Sequence, residues 1–192
     1  MKYGAKMLQW APFSAENAEP PNSLPSYGAP VNLGALSKVT ETVTMNSVKG
    51  YGDNATKVHV IEFKEAGLAV EVTELSNANA SAIYGATLDT APEKDLHFNG
   101  EDAVPYGGLA FYINKMLDDN SKVYQGIYYP KAKAELQGDD YSTKGESIVL
   151  TNTKIQFAAE KCNSGDWKLF SENFTTEAEA AAWVNEKIKA AG

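Results

Sequence analysis

The sequence predicts a mainly β fold with a short flanking helix and a C-terminal helix. Three strand-like runs separated by polar turns occupy residues 107–158, which is the pattern of a β-meander. Two earlier segments, at 37–45 and 56–72, alternate apolar and polar residues with the period of two that half-buried strands have. Capping residues combined with helical spacing occur in only two places, near 76–85 and 176–190.

Length and composition limit the class of protein. A chain of 192 residues forms one domain, or one domain with arms, and its single cysteine, Cys162, excludes an intrachain disulfide. The net charge is −8 and all 17 basic residues are lysines. Arginine is the usual bidentate partner of phosphate, so an acidic chain without it is a poor candidate for gripping nucleic acid. Such a chain suits a surface past which DNA slides without sticking, although negative charge also serves simply to keep a protein soluble.

The chain begins with a segment of low regularity. Five of the eight prolines fall within residues 11–35, so we expect residues 1–36 to form an irregular arm or loop. A β-domain is expected over 37–174, followed by a helical segment at 175–192. No stretch has the apolar character of a secretory signal or the length of a membrane span, so we expect a soluble protein made in a cytoplasm, without membrane insertion.

The run 56–72 is expected to form a hairpin. Its apolar residues change parity between residues 60 and 61, which indicates a bulge. The turn is expected at 65–67, with Gly67 in the positive-φ conformation. Farther along the chain, residues 123–129 carry large apolar groups on both faces, so we expect this strand to be covered on both sides.

Both helices are predicted from their ends. Ser76 or Asn77 is suited to cap the first helix, and Gly85 has the position of a C-terminal cap. In the second helix, Thr176 and Glu179 match a capping box, and apolar residues at helical spacing extend the prediction over 177–190.

No combination of residues indicates catalysis. His59 and His97 have no neighbour at metal-ligand spacing, and the sequence lacks a nucleophile elbow, a phosphate-binding loop and a dinucleotide fingerprint. Acidic pairs at 101–102, 118–119 and 139–140 lie in predicted turns, where solvated acids are common. We therefore expect no catalytic, cofactor-binding or metal-binding residues, and no enzymatic activity.

Aromatic residues recur along the meander. Strand-spaced aromatics suit a core, a subunit interface, or a stacking platform for sugars or bases. In the last case the protein would be a monomeric β-sandwich module that binds carbohydrate or peptide, and truncating Tyr128 or Tyr129 would abolish binding. The set comprises Tyr106, Phe111, Tyr112, Tyr124, Tyr128 and Tyr129.

Four segments, taken in order, carry a resemblance to a known family. Tyr-Gly-Asp-Asn at 51–54 is an aromatic-small-Asp-Asn turn, and a strand at 67–75 leads to the short helix that ends at Gly85. Within 107–129 a glycine leads an aromatic strand whose partner carries a Tyr-Tyr pair, and Lys-Gly-Glu-Ser-Ile at 144–148 precedes the next strand. In this order the chain resembles the major tail proteins, or tail tube proteins, of long-tailed phages of Gram-positive bacteria.

The resemblance implies a tail-tube-type β-sandwich or barrel. In that family six copies form a ring, and stacked rings form the hollow tube through which DNA leaves the virion. It implies a virion tail protein assembled in the host bacterial cytoplasm, whose partners are copies of itself, a tape measure protein, and tail terminator and initiator proteins. DNA would pass through the bore without specific binding. Residues 11–35 or 44–56 would supply the segment that reaches the next ring.

The resemblance also directs attention to particular residues. Acids on strands are candidates to face the bore, and these are Glu62, Glu71 and Glu74. Candidates for contacts between subunits are Tyr51, Asp53, Asn54, Tyr128 and Tyr129. Because tube folds are related, the inner tube protein of a contractile tail or of a bacteriocin-like particle stays an alternative.

Overall fold

The chain folds into one large antiparallel sheet, a two-stranded sheet and two helices, in a computed structural model that describes residues 1–14, 18–52, 55–138 and 151–190. The predicted mainly β class is confirmed. The strands are β1 (Lys2–Pro12), β2 (Val31–Asn32), β3 (Leu36–Gly52), β4 (Ala55–Val72), β5 (Thr87–Leu88), β6 (Leu96–His97), β7 (Tyr106–Met116), β8 (Lys122–Glu135), β9 (Thr153–Ala159) and β10 (Leu169–Phe174), and the helices are α1 (Asn77–Tyr84) and α2 (Glu177–Lys187).

The large sheet is folded over one apolar core. Its strands lie in the order β2-β1-β7-β8-β9-β4-β3, and β10 pairs with β8. Strand β8 pairs with β10 near its start and with β9 near its end, so it passes from one layer of the fold to the other. Leu109 and Phe111 of the first layer share a buried cluster with Leu68 and Phe157 of the second. This arrangement is that of a sandwich or an open barrel.

Helix α2 covers the opposite face of the first layer. Val184 and Ile188 are fully buried and form a second cluster with Tyr112 and Tyr128. Burying each aliphatic side chain contributes roughly 1.5–3 kcal/mol. The central part of β7 and β8 is therefore covered on both faces, as predicted for residues 123–129. The capping box of Thr176 is confirmed, and the helix ends at Lys187.

Helix α1 has the predicted caps. The Ser76 side chain accepts a hydrogen bond from the Asn79 backbone N–H at 3.2 Å, and Gly85 closes the helix in the left-handed conformation with φ 71°. The buried face of α1 includes Ile83, which joins the main core.

The prediction of an irregular segment over 1–36 is wrong for its first third. Strand β1 (Lys2–Pro12) pairs with β7 along its length, and Trp10 at its end is fully buried. Gly4 and Met7 have positive φ, and the register shifts at these two places. Such bulges break the alternation of apolar and polar residues, so periodicity did not reveal the strand. The boundary at residue 36 therefore separates no independent part of the fold.

The predicted hairpin within 56–72 is also wrong. Strand β4 runs unbroken from Ala55 to Val72, and Gly67 pairs with Thr42 on one side and Ala158 on the other. A Cβ on Gly67 would lie 3.2 Å from Gln156 Nε2, so the glycine permits close approach rather than a turn. The predicted bulge exists a few residues farther on, between Phe63 and Glu65.

Candidate assembly surface

The least covered part of the molecule is a long ribbon formed by β3 and β4. Strand β9 pairs with β4 only at residues 66–72, so residues 55–65 pair with β3 alone. We name residues 43–52 and 55–65 the arm. Among the described strands, no partner pairs with the outer edge of β3 or with the other edge of β4 in the arm. Unpaired edges of this length are templates for pairing with another chain.

The register of β3 and β4 defines two faces of the arm. Directly paired residues of antiparallel strands point to the same side, and the face that continues the core is called the inner face. Its pairs are Val43 with Ala66, Met45 with Phe63, Ser47 with Ile61 and Lys49 with His59. The pairs of the outer face are Thr44 with Glu65, Asn46 with Glu62, Val48 with Val60 and Gly50 with Val58.

Both faces of the arm expose large apolar side chains. Val48 is 67% exposed on the outer face and Ile61 is 56% exposed on the inner face. Of the large apolar residues exposed in the described part of the chain, more than half lie here: Val43, Met45, Val48, Tyr51, Val58, Val60 and Ile61. A contiguous apolar surface with free strand edges marks an interaction site in a soluble protein.

The root of the arm is held to the body by aromatic and charged contacts. Phe63 stacks on Trp167 with ring centroids 4.3 Å apart. The Lys168 ammonium donates to Glu41 at 2.5 Å, and the Tyr129 hydroxyl donates to the other oxygen of the same carboxylate at 3.0 Å. The Lys168 side chain is only 12% exposed, so this ion pair is shielded from solvent. These contacts set the direction in which the arm leaves the body.

The structure places two of the three candidate acids together. Glu62 pairs with Asn46 on the outer face, and Glu71 lies on the same face between Lys38 and Lys154. The two have opposite parity in the sequence, and the bulge between Phe63 and Glu65 brings them to one side. Glu74 follows the end of β4 and does not belong to this face.

Acids on this outer face have basic neighbours. Lys38 and Lys154 flank Glu71 across the strands, and Lys64 pairs with Glu65 at 3.0 Å. Near the body, up to the pair Asn46–Glu62, the outer face is therefore polar and mixed in charge rather than strongly negative, whereas farther out it carries the exposed Val48, Val58 and Val60.

Tyr128 and Tyr129 are wrong as candidates for subunit contacts. They are 0% and 1% exposed within the single chain. Tyr128 shares a hydrogen bond with Tyr27, whose hydroxyl also donates to the Pro130 carbonyl at 2.6 Å. Burial is the main cause that raises the pKa of each of these three tyrosines. The apolar pattern on both faces of β8 already favoured a core position, and the buried rings are equally inaccessible to a sugar or a peptide.

Tyr51 stays a candidate for contacts between subunits. It lies at the far end of the arm and is 72% exposed. Asp53 and Asn54 lie outside the described residues, as does the Lys-Gly-Glu-Ser-Ile segment at 144–148. The sequence analysis had offered residues 44–56 as one of two segments that could reach a neighbouring ring, but it did not foresee the exposure of Val43, Met45 and Val48 on a long two-stranded ribbon.

The two histidines and the cysteine have their own local contacts. His59 contacts Ser47 Oγ at 2.8 Å on the arm, and His97 contacts Asp89 at 2.9 Å in a loop. Cys162 is buried and close to the Asp166 carbonyl. In the described part of the chain, no group of three or more His, Cys, Asp or Glu side chains is placed to hold a metal ion.

Among residues 1–14, 18–52, 55–138 and 151–190, neither helix is long and apolar enough to cross a membrane. Comparison of the sequence with protein-family models and with curated proteins found no match.

Proposed function

We propose that the chain is a structural virion protein that assembles through the arm into stacked rings, forming the tube through which a phage delivers its DNA. The observation that carries the proposal is the arm itself, which has two free strand edges and apolar residues on both faces. Beyond its root at Phe63, the described side chains of the arm are exposed on both faces and contribute little to the fold of a single copy. The ring number of six comes from the sequence resemblance.

The two free edges of the arm suit head-to-tail association. The outer edge of β3 in one copy is complementary in hydrogen bonding to the free edge of β4 in the next copy. Two different edges make a heterologous contact, which closes into a ring when the rotation permits it. Closure would remove the exposed edges that otherwise lead to uncontrolled aggregation.

The part of the outer face near the body, from the pair Lys38–Glu71 to the pair Asn46–Glu62, is suited to line a channel for DNA. Its side chains include Thr40, Thr42 and Thr44 with Glu62 and Glu71, and the chain has no arginine to bind phosphate. Small polar groups with balanced charge would let a polyanion pass without a binding step. A bore lined in this way would be close to neutral and weakly adhesive rather than strongly negative.

Electron microscopy of concentrated protein tests the proposal. We expect the wild-type chain to form rings or tubes with a central bore in negative stain. The double variant Val48→Lys, Ile61→Lys places one charge on each face of the arm and is expected to stay monomeric, with an unchanged circular dichroism spectrum.

A matched control tests whether assembly is lost because the lysines lie on the arm or because any two added charges raise solubility. Phe98 and Leu136 are 51% and 60% exposed outside the arm, and the variant Phe98→Lys, Leu136→Lys is expected to assemble like the wild type. A wild-type chain that remains monomeric at about 1 mM would contradict the proposal, as would normal assembly of the arm variant.

A further inference from the structure

One of the two histidines of the chain lies on the inner face of the arm. His59 pairs across the strands with Lys49, and its ring Nε2 is 2.8 Å from the hydroxyl oxygen of Ser47. Ser47 belongs to the next pair on the same face, which it forms with Ile61. The contact with Ser47 therefore holds the imidazole over β3, beside the exposed apolar side chain of Ile61.

The charged groups nearest to His59 are basic. Lys49 faces it from β3, and Lys57 precedes it by two residues on β4. The acids in the described part of the arm, Glu62 and Glu65, belong to the outer face. Like charges that lie opposite each other destabilise a pair of strands. A proton on the imidazole therefore adds a positive charge opposite another, and no carboxylate of the described arm lies on this face to offset it.

Assembly through the arm would change the surroundings of this ring. In the single chain, residues 57–61 are exposed, so water hydrates the imidazole in either charge state. A second copy that covers Ile61 also covers His59, because the two side chains are neighbours on one face. Covering the charged imidazole costs far more free energy than covering the neutral one. Lys49 escapes this cost, since its long stem carries the ammonium to solvent, whereas the shorter histidine side chain cannot.

We propose that His59 makes assembly through the arm dependent on pH, so that copies associate while its imidazole is neutral and separate when it is protonated. This inference rests on the proposed function. Histidine is the side chain that ordinarily changes charge between about pH 5 and 8. A group that is protonated in the free copy and neutral in the assembled copy releases its proton on assembly. Association therefore strengthens as pH rises and weakens as pH falls.

Overall charge predicts the opposite dependence on pH. The net charge is −8 at pH 7 and the isoelectric point is about 4.8, so mild acidification removes repulsion between copies and favours association. Exclusion of the charged imidazole would instead raise the concentration of free copies, by up to about tenfold for each pH unit over which they bind the proton. Loss of assembly on mild acidification therefore indicates a specific group rather than the overall charge.

Sedimentation of assembled protein at two pH values tests the proposal. Tubes are pelleted at about pH 8 and about pH 5.5 at constant ionic strength, and the concentration of free copies in the supernatant is measured. For the wild type we expect this concentration to be at least about tenfold higher at the lower pH. The variant His59→Gln is neutral at both values, and we expect its free concentration not to rise on acidification.

The second histidine supplies a matched control. His97 contacts Asp89 at 2.9 Å in a loop outside the arm, and His97→Gln is expected to keep the pH dependence of the wild type. Circular dichroism of dilute single copies at both pH values checks that acidification leaves the fold intact. His59→Asn is a second neutral variant, and it replaces His59→Gln in the comparison should the longer side chain disturb assembly at pH 8.

The outcomes distinguish this inference from the proposed function. A wild-type chain that assembles equally well at both pH values would overturn the role of His59 while the proposed function stands. Loss of assembly at pH 5.5 that the neutral variants share, or that His97→Gln abolishes, would overturn it as well. A wild-type chain that forms neither rings nor tubes at pH 8 would overturn the proposed function itself, and this inference with it.

Discussion

Strand β7 and the arm have similar apolar side chains but opposite surroundings. Eight consecutive residues of β7 are buried, because the core covers one face and α2 covers the other. In the arm, Val43, Met45 and Val48 are each at least 40% exposed. Apolar content therefore does not distinguish the interior of this protein from its assembly surface. The difference is the presence or absence of a second layer from the same chain.

We expect the body to determine stability and, under the proposed function, the arm to determine association. A side chain that contacts neighbours in the single chain contributes to folding, whereas one that contacts only water does not. The exposed apolar residues of the arm contribute free energy only when another copy covers them. Substitutions in the two regions should therefore change different measurements.

The largest expected effect is in the core. Phe157 is fully buried between the layers, and Phe157→Ala is expected to lower the free energy of unfolding by about 3–5 kcal/mol because it leaves a cavity. Tyr51→Ala, at the far end of the arm, is the matched control and is expected to change the free energy of unfolding by less than about 0.5 kcal/mol. Urea denaturation measures the free energy of unfolding of both variants. Equal losses would refute the expectation that the body, and not the arm, determines stability.

Alkaline pH should weaken the body next. Burial raises the pKa of Tyr27, Tyr128 and Tyr129, so the folded chain keeps protons that the unfolded chain releases above about pH 10. Stability is fully present below that pH and falls as pH rises, by about 1.4 kcal/mol per pH unit for each tyrosine.

Chemical denaturation between pH 9 and 11 measures this slope. Tyr129→Phe, which removes one phenol but keeps the ring, is expected to reduce it. A slope that Tyr129→Phe leaves unchanged would show that this hydroxyl ionises normally in the folded chain.

A smaller change in stability than in the core is expected where the two regions meet. Trp167 stacks on Phe63 at the root, and Trp167→Ala is expected to lower the free energy of unfolding by about 1 kcal/mol. Assembly should suffer more, because a loosened root no longer directs the arm toward the next copy. Light scattering measures the loss of assembly, and urea denaturation measures the loss of stability. Trp183→Ala truncates an aromatic residue on α2 and is the control. It is expected to lower stability without lowering assembly further than the lost stability explains.

Much of the fold was predictable where local contacts decide it. The caps at Ser76, Gly85 and Thr176 involve side chains and backbone groups within four residues of each other, so the sequence predicts both helices closely. Strand-like runs of aromatic and β-branched residues between polar turns likewise predicted the three strands of the meander, because strand preference and turn residues act locally along the chain.

The candidate site was predictable only in part. Tyr51 was named from its turn motif, but the arm behind it was divided into a separate hairpin at Gly67. A glycine between two apolar runs fits either a turn or a close approach, and only the side chain of Gln156 on a distant strand shows which applies.

By itself the sequence determined the β class, the meander, both helices with their caps, and the lack of arginine, since these depend on composition or on neighbours in the chain. Tertiary structure alone decided that β1 joins the sheet through two bulges and that the arm stands uncovered. Burial is a property of what packs over a strand, and the covering layer comes from residues far away in the sequence.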